Sequence, residues 1–284
     1  MSDSPDNDNM QYPRTLMIHR HSLITRLTHW LNAICLSFLL LSGLQIFNAH
    51  PELYWGHYGA DGDPSVLTIG SSGQGDDISG FVRIAGVKVP TTGVLGVSTF
   101  EGEPTPRAFP GWATIPSFQD LATGRRWHFF FAWLFLVNGI LYLGFGVLTG
   151  HFRRDLAPAR RDLSPHHLWR EILDHLRLRF PQGEEAKHYN TLQKLTYLAV
   201  IVILLPTMLL TGLTMSPGFD AILPPLVDIF GGRQSARTIH FTTATLLVLF
   251  VLVHVAMVVL SGTWNNMRSM ITGRYAIRKK GPHA

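Results

Sequence analysis

The chain has 284 residues, of which 46% are hydrophobic and only 15% charged, with a formal net charge of +5. That charge content lies well below the roughly 25% usual in soluble domains, so the composition points to a membrane protein. A single cysteine, Cys35 in an apolar run, excludes an intramolecular disulfide, a Cys-x-x-Cys-His attachment site and a cysteine-ligated iron–sulfur cluster, leaving fourteen histidines to hold any redox centre.

Residues 1–13 are polar and acidic and read as a disordered tail, without the basic start and apolar core of a cleavable signal. The first transmembrane helix is expected within 14–47, its apolar part running from Trp30 to Phe47 directly after His29. Residues 48–124 form a long polar insertion with eight acidic and three basic residues. Within it FVRIAGVKVPTTGVLGVSTF has short β-like runs broken by glycine and proline, as a hairpin would. The second span, 125–149, opens with the sequence GRRWHFFFAW and carries His128 in its first turn.

Residues 150–190 form a basic connection. Leu168, Ile172, Leu176 and Phe180 recur there every fourth residue, with Arg170, Arg177 and Arg179 off that line, which predicts an amphipathic helix among lipid headgroups. His166, His167 and His175 are read as surface residues. The third span, 191–215, contains Pro206, which predicts a kink, and no histidine. A loop at 216–236, the fourth span at 237–262 and a basic tail at 263–284 complete the chain.

Lys and Arg set the expected orientation. Eight lie in 150–190, five after Leu260, and Arg14, Arg20 and Arg26 before the first span; the insertion holds three and the short loop Arg233. Both termini are therefore expected in the cytoplasm of a bacterial inner-membrane protein, with the insertion facing outward. The fold expected is an all-α integral membrane protein: a four-transmembrane-helix bundle with a long outward-facing loop insertion and a cytoplasmic amphipathic helix. The positive charge reads as an inside-facing skirt on anionic membrane lipid, which argues against a nucleic-acid role.

The fourth span carries the most pointed signal. Thr238–Leu260 has no Asp, Glu, Lys or Arg, and as a helix it would extend roughly 34 Å. His240 and His254 lie fourteen residues apart, hence on one face to within about 40° and separated by roughly 21 Å of rise. One bland reading has one imidazole hydrogen-bonded to a neighbouring helix and the other at the interface. The sharper reading is that each is an axial ligand of one of two stacked haems. His29 then shares the inner layer with His254, His128 shares the outer layer with His240, and the third span contributes to neither. Zinc or copper would want further ligands. Gly43, fourteen residues after His29, would leave room for the second macrocycle, although ordinary close packing explains it as well.

RLTHWLNA at the first span, a histidine opening the second, the His-x13-His fourth span and MITGR after it resemble the bacterial cytochrome b561 and nickel-hydrogenase cytochrome b family. The chain is similar, too, to the cytochrome b subunits of formate dehydrogenase and thiosulfate reductase. The resemblance covers 14–47 and 125–278. It implies a di-haem b membrane anchor exchanging electrons between a periplasmic redox subunit and quinone, with His29, His128, His240 and His254 as iron ligands to two haem b. The favoured partner is a molybdopterin oxidoreductase, ahead of a hydrogenase or a multihaem cytochrome, docking on the insertion and its aromatics Tyr54, Trp55, Tyr58 and Trp112. The 48–124 insertion is longer than the family pattern, which leaves the partner open. Quinone is expected near the inner layer, between the start of the first span and the 150–190 connection, with Trp30 and Asn32 as candidates. The competing readings are a self-contained quinol or superoxide:quinone oxidoreductase, and a histidine-containing transporter. The unbroken apolar LLVLFVLV at mid-span disfavours the transporter.

Overall fold

The structure, a computed structural model, describes residues 15–60, 63–177 and 190–278. Among these residues, four helical stretches are long and apolar enough to cross a membrane: Leu23–Phe47, Leu121–Leu148, Thr191–Thr214 and Arg233–Leu260. Large apolar side chains on them stand exposed, Val147, Val202, Ile203, Leu252 and Val253 among them. Water would penalise such faces heavily, whereas hydrocarbon is their natural solvent.

The first two spans begin earlier than their apolar cores. Helix α1 (Leu23–Phe47) starts after Ser22, whose Oγ accepts a hydrogen bond from the Thr25 amide at 3.1 Å. Helix α2 (Leu121–Leu148) starts after Asp120, whose Oδ1 accepts from the Thr123 amide at 3.0 Å. His29 and His128 are therefore about two turns inside their helices, not at the openings where hydropathy put them. The rule starts a helix late wherever arginines such as Arg26, Arg125 and Arg126 occupy its first turns, because their long stems reach water from a helical backbone.

The connection after α2 contains α3 (Pro165–Leu176), which carries Leu168 and Ile172 of the expected apolar line. Phe180 of that line and Arg179 beside it lie outside the described residues, as do the 1–13 tail and the last six residues of the basic tail. Glu171 of α3 accepts from the amides of Thr191 and Leu192 at 3.1 and 2.7 Å and is bonded to His167 at 3.2 Å. It thus caps the third span with a carboxylate where the helix dipole favours one. That span is composite: α4 (Thr191–Ala199), a π-helical turn at Val200–Leu204, and α5 (Leu205–Thr214). Pro206 has no amide hydrogen, and its ring would press on the carbonyl four residues back, so the widened turn accommodates it. The segment read as a loop holds two short helices, α6 (Pro217–Ile222) and α7 (Pro225–Ile229), before α8 (Arg233–Leu260). The segment read as a basic tail holds α9 (Thr263–Thr272).

The all-α expectation is corrected by eight strands among the described residues. In chain order they are β1 (Thr15–His19), β2 (Glu52–Leu53), β3 (Leu67–Ser72), β4 (Ser79–Ile84), β5 (Val87–Pro90), β6 (Gly96–Phe100), β7 (Glu103–Arg107) and β8 (Arg274–Arg278). β2–β5 form one antiparallel sheet, β6 and β7 a hairpin, and β1 pairs with β8. The expected hairpin is β4–β5; Ala85 and Gly86 between its strands both have positive φ, as do Glu101 and Gly102 between β6 and β7. That backbone matches the twist of paired strands, but neither dipeptide is a common turn signal.

The chain divides into two compact units. One consists of Thr28–Leu143 and Ala199–Val251; the other of the described parts of 1–27, 144–198 and 252–284. In the second, Arg20 donates its amide to Gly273 of the MITGR motif at 2.8 Å, and Asn265 of α9 pairs through its side chain with both backbone groups of Ala276. MITGR is therefore a helix stop that leads into the β1–β8 pair.

In the first unit, the polar insertion is a β lobe rooted on α1 and α8. Phe47, Leu53, Ile69 and Ala108 form its core, with Leu67, Val82, Leu95, Phe109 and Phe241 packed against them. Buried Arg107 donates to the carbonyls of Phe109 and Ser117, to Thr114 Oγ1 and to Gln45 Oε1 at the end of α1. The Ile115 amide donates to Leu41 of α1 at 3.2 Å. On α8, Thr238 Oγ1 donates to the Tyr54 carbonyl at 2.6 Å, Ser235 Oγ accepts from the Gly56 amide at 2.7 Å, and the Gly56 carbonyl accepts from the amides of Gln234 and Ser235. The lobe thus supplies the N-terminal cap of the helix that carries His240. Tyr54 is only 2% exposed, which removes it from the expected docking aromatics, while Trp55, Tyr58 and Trp112 are 59%, 89% and 82% exposed.

Candidate functional site

Within the first unit, α1 and α2 run antiparallel, as three contacts show: Ser42 meets His128, Phe38 stacks on Phe131 at 4.1 Å, and Asn32 meets Asn138. Asn138, 3% exposed, donates to Asn32 Oδ1 at 2.7 Å and to the Thr28 carbonyl at 2.9 Å. Asn32 is therefore engaged in helix pairing. Trp30 lies edge-on to His29, centroids 5.4 Å apart.

The pairing of α1 with α2, and of α5 with α8, brings two predicted histidines together. The rings of His128 and His240 have centroids 6.4 Å apart, with planes inclined at 60°. A metal held by one nitrogen of each ring would need about 2 Å of bond and about 1.2 Å of ring radius on each side, about 6.4 Å in all. The observed separation fits one iron. Among the described residues no group of three or more His, Cys, Asp or Glu side chains is placed to hold a metal ion. The donor set is thus two imidazoles, which suits a metal whose remaining positions a porphyrin fills.

Each imidazole has a hydroxyl on its other nitrogen. His128 Nδ1 is 3.1 Å from Ser42 Oγ, and His240 Nδ1 is 3.0 Å from Thr211 Oγ1. Ser42 also lies 2.6 Å from the Phe38 carbonyl, and Thr211 2.6 Å from the Thr207 carbonyl. A carbonyl cannot donate, so each hydroxyl proton is committed to it, and the hydroxyl oxygen accepts from the ring beside a backbone partner, Leu39 for His128 and Met208 for His240. That assigns the proton to Nδ1 and leaves Nε2 of both rings with a bare lone pair for a metal.

The glycines fit the same scheme. A Cβ on Gly43 would stand 3.4 Å from His128 Cε1, and a Cβ on Gly212 would stand 3.4 Å from His240 Cε1. Gly43 therefore borders the His128 ring itself. The expectation that the third span contributes nothing is corrected: Thr211 and Gly212 of α5 are the immediate neighbours of His240. Ser42 and the Thr211-Gly212 step are not ligand types, so the sequence singles out only Gly43 of these four; they lie in the two spans without an outer-layer histidine.

His29 belongs to the first unit and His254 to the second. His254 lies edge-on to Tyr197, centroids 6.3 Å apart. Also in the second unit, where quinone is expected, a cavity of about 300 Å³ is lined by His19, His21 and Ser22 near the start of α1, by Phe145 and Thr149 at the end of α2, and by His151 and Arg154 beyond it.

The profile of the prokaryotic cytochrome b561 family matches residues 20–273 of the chain. A relative from Azospira oryzae, named "Putative protein-methionine-sulfoxide reductase subunit YedZ1", is 28% identical over 235 residues, covering 83% of this chain and 87% of its own. No solved structure matches the chain.

Proposed function

The chain belongs to the prokaryotic cytochrome b561 family, and from that premise we propose that it is a di-haem b membrane subunit carrying electrons between the quinone pool and a redox partner on the outer side. The observation that carries the reading is the 6.4 Å separation of the His128 and His240 rings, with a hydroxyl on Nδ1 of each. Haem b in this setting supplies reversible one-electron chemistry without an open coordination position. His128 and His240 would hold the outer haem, and His29 with His254 the inner one. The protein's part is to present Nε2 at fixed distance, to orient the rings, and to keep water from the site with apolar helix faces.

The topology carried into this reading has both termini in the cytoplasm and four spans forming one bundle, as the Lys and Arg distribution supports. The β lobe then lies outside. Its root on Tyr54, Gly56 and Arg107 braces the spans, while Trp55, Tyr58 and Trp112 offer exposed aromatic area for a partner. The Azospira relative is named for a protein-methionine-sulfoxide reductase, and that name supports a partner that reduces sulfoxides. A quinol would release two electrons and two protons, and the partner would use two of each to turn a sulfoxide into a sulfide and water. A molybdopterin oxidoreductase remains the partner class that the family resemblance favours. Quinone would reach the inner side through the cavity of His19, His21 and His151, whose size lies at the lower end for a small-molecule site.

A dithionite-reduced minus oxidised spectrum tests the reading: a b-type α-band at two haems per chain is expected, and a chain purified without haem under haem-replete expression refutes it. Deleting residues 59–104 should leave both haems and abolish electron delivery to the partner. Loss of the outer haem in that variant would instead make the whole lobe a structural cap.

A further inference from the structure

The first and third spans carry one two-residue step, hydroxyl then glycine, each set against one imidazole. Ser42 and Thr211 are both fully buried, and each binds a ring Nδ1 while donating to the carbonyl four residues earlier. Gly43 and Gly212, next in sequence, each face the Cε1 of the same ring at the same 3.4 Å virtual distance. The first span serves the histidine of the second, and the third serves the histidine of the fourth. We propose that Ser42 and Thr211 are positioning residues that hold His128 and His240 in the Nδ1–H tautomer and thereby set the midpoint potential of the outer haem; this rests on the reading of those histidines as its ligands.

Two features separate this from ordinary back-bonding of Ser and Thr in a helix. Back-bonding alone would satisfy each hydroxyl proton and needs no partner on another span. Here the remaining lone pair is used, on two different helix pairs, against the two rings that face one another. A hydroxyl that donates to a carbonyl is polarised and accepts more strongly. Its pull on the Nδ1 proton makes the imidazole a better electron donor through Nε2, which favours ferric over ferrous iron. Removing the hydroxyl should therefore raise the potential. The glycines complete the device, since a methyl at either position would crowd the ring that the hydroxyl orients.

The test is a spectroscopic redox titration, with low-temperature electron paramagnetic resonance of the oxidised protein. Ser42→Ala and Thr211→Ala should each raise the midpoint of one haem and change its low-spin signal, leaving the other haem as in the parent. Ser42→Thr and Thr211→Ser, which keep the hydroxyl, should stay close to the parent. Loss of that haem from an alanine variant, with retention at parental potential in its hydroxyl-keeping counterpart, would also support the role. Unchanged potential and signal in both alanine variants would overturn it, and so would equal loss of haem from the alanine and hydroxyl-keeping variants. If His128→Ala and His240→Ala both leave two intact low-spin haems, the ligand assignment itself is what fails.

Discussion

The four histidines singled out by position in the spans stand in two different kinds of surroundings. His128 and His240 have buried hydroxyls on Nδ1 and face each other. His29 and His254 stand edge-on to Trp30 and Tyr197. A hydroxyl acceptor polarises an imidazole, whereas an edge-on aromatic contributes mainly packing. The hydroxyls on His128 and His240 should therefore lower the potential of a haem held between them.

The largest effect should come from removing ligands. His128→Ala and His240→Ala are each expected to delete, or convert to high spin, the same haem and leave the other low-spin. His29→Ala and His254→Ala should do the reverse. Optical redox titration of each variant reads this directly. A result in which His29 and His240 act on one haem would break the comparison, along with the layer assignment behind it.

A smaller effect, confined to the side of His128 and His240, should follow from loosening the lobe's root. Burial lowers the pKa of Arg107, yet four acceptors surround its guanidinium. Arg107→Met should cost roughly 2–4 kcal/mol through acceptors left unpaired. Gly232 has φ +107°, and a Cβ there would lie 2.5 Å from the Gly56 carbonyl oxygen that caps α8. Gly232→Ala should cost about 1–3 kcal/mol by strain. Thermal unfolding followed at the Soret band should show the outer haem released first in both variants. Release of both haems together would mean that the lobe braces the two sites equally.

Smaller again is Asn138→Leu, which removes the bonds to Thr28 and Asn32 but keeps a side chain of similar size. Interhelical hydrogen bonds in membranes are worth about 0.6–2 kcal/mol. Steric-trap or denaturant unfolding in mild detergent should show a loss in that range. No loss would mean that the aromatic stack of Phe38 on Phe131 alone sets the pairing of α1 with α2.

The spans were legible in the sequence because length and apolarity are properties of single segments. The four histidines stood out as rare ionisable groups in apolar spans, and the structure brings two of them, His128 and His240, together. Helix starts were not legible, since Arg26, Arg125 and Arg126 look like loop and fold as helix. The lobe was only partly legible: its β4–β5 hairpin has a β-like pattern, but the rooting of Tyr54 and Gly56 on Ser235 and Thr238 joins residues about 180 positions apart. Ser42 and Thr211 were hidden for a further reason. A serine or threonine in a membrane helix can satisfy itself on its own backbone, so only the neighbouring span reveals what else it does. MITGR was visible as a motif, but its pairing with the N-terminal strand needed both ends of the chain.

The smallest expected effect is at the entry of α2, two turns before His128. Hydrogen bonds from the side chain and backbone of Thr123 hold the Asp120 carboxyl below its usual range. The charged form is therefore favoured in the folded protein, and its contribution is present above the ordinary carboxylate value of about 4 and lost as pH falls through the lowered value. Asp120 is only partly buried, so the gain should stay within the first turn. Asp120→Ala removes both cap and charge, while Asp120→Asn keeps an acceptor for the Thr123 amide. Amide hydrogen exchange, each rate taken relative to its intrinsic value, should show faster exchange at Thr123 in Asp120→Ala at pH 7, with Asp120→Asn between it and the parent. As pH falls through the lowered value, the parent should move toward Asp120→Asn, because its carboxyl protonates. The His128 haem should keep its potential in both variants. If it shifts, the entry of α2 is coupled to the iron, and the hydroxyl of Ser42 no longer fixes the ring on its own.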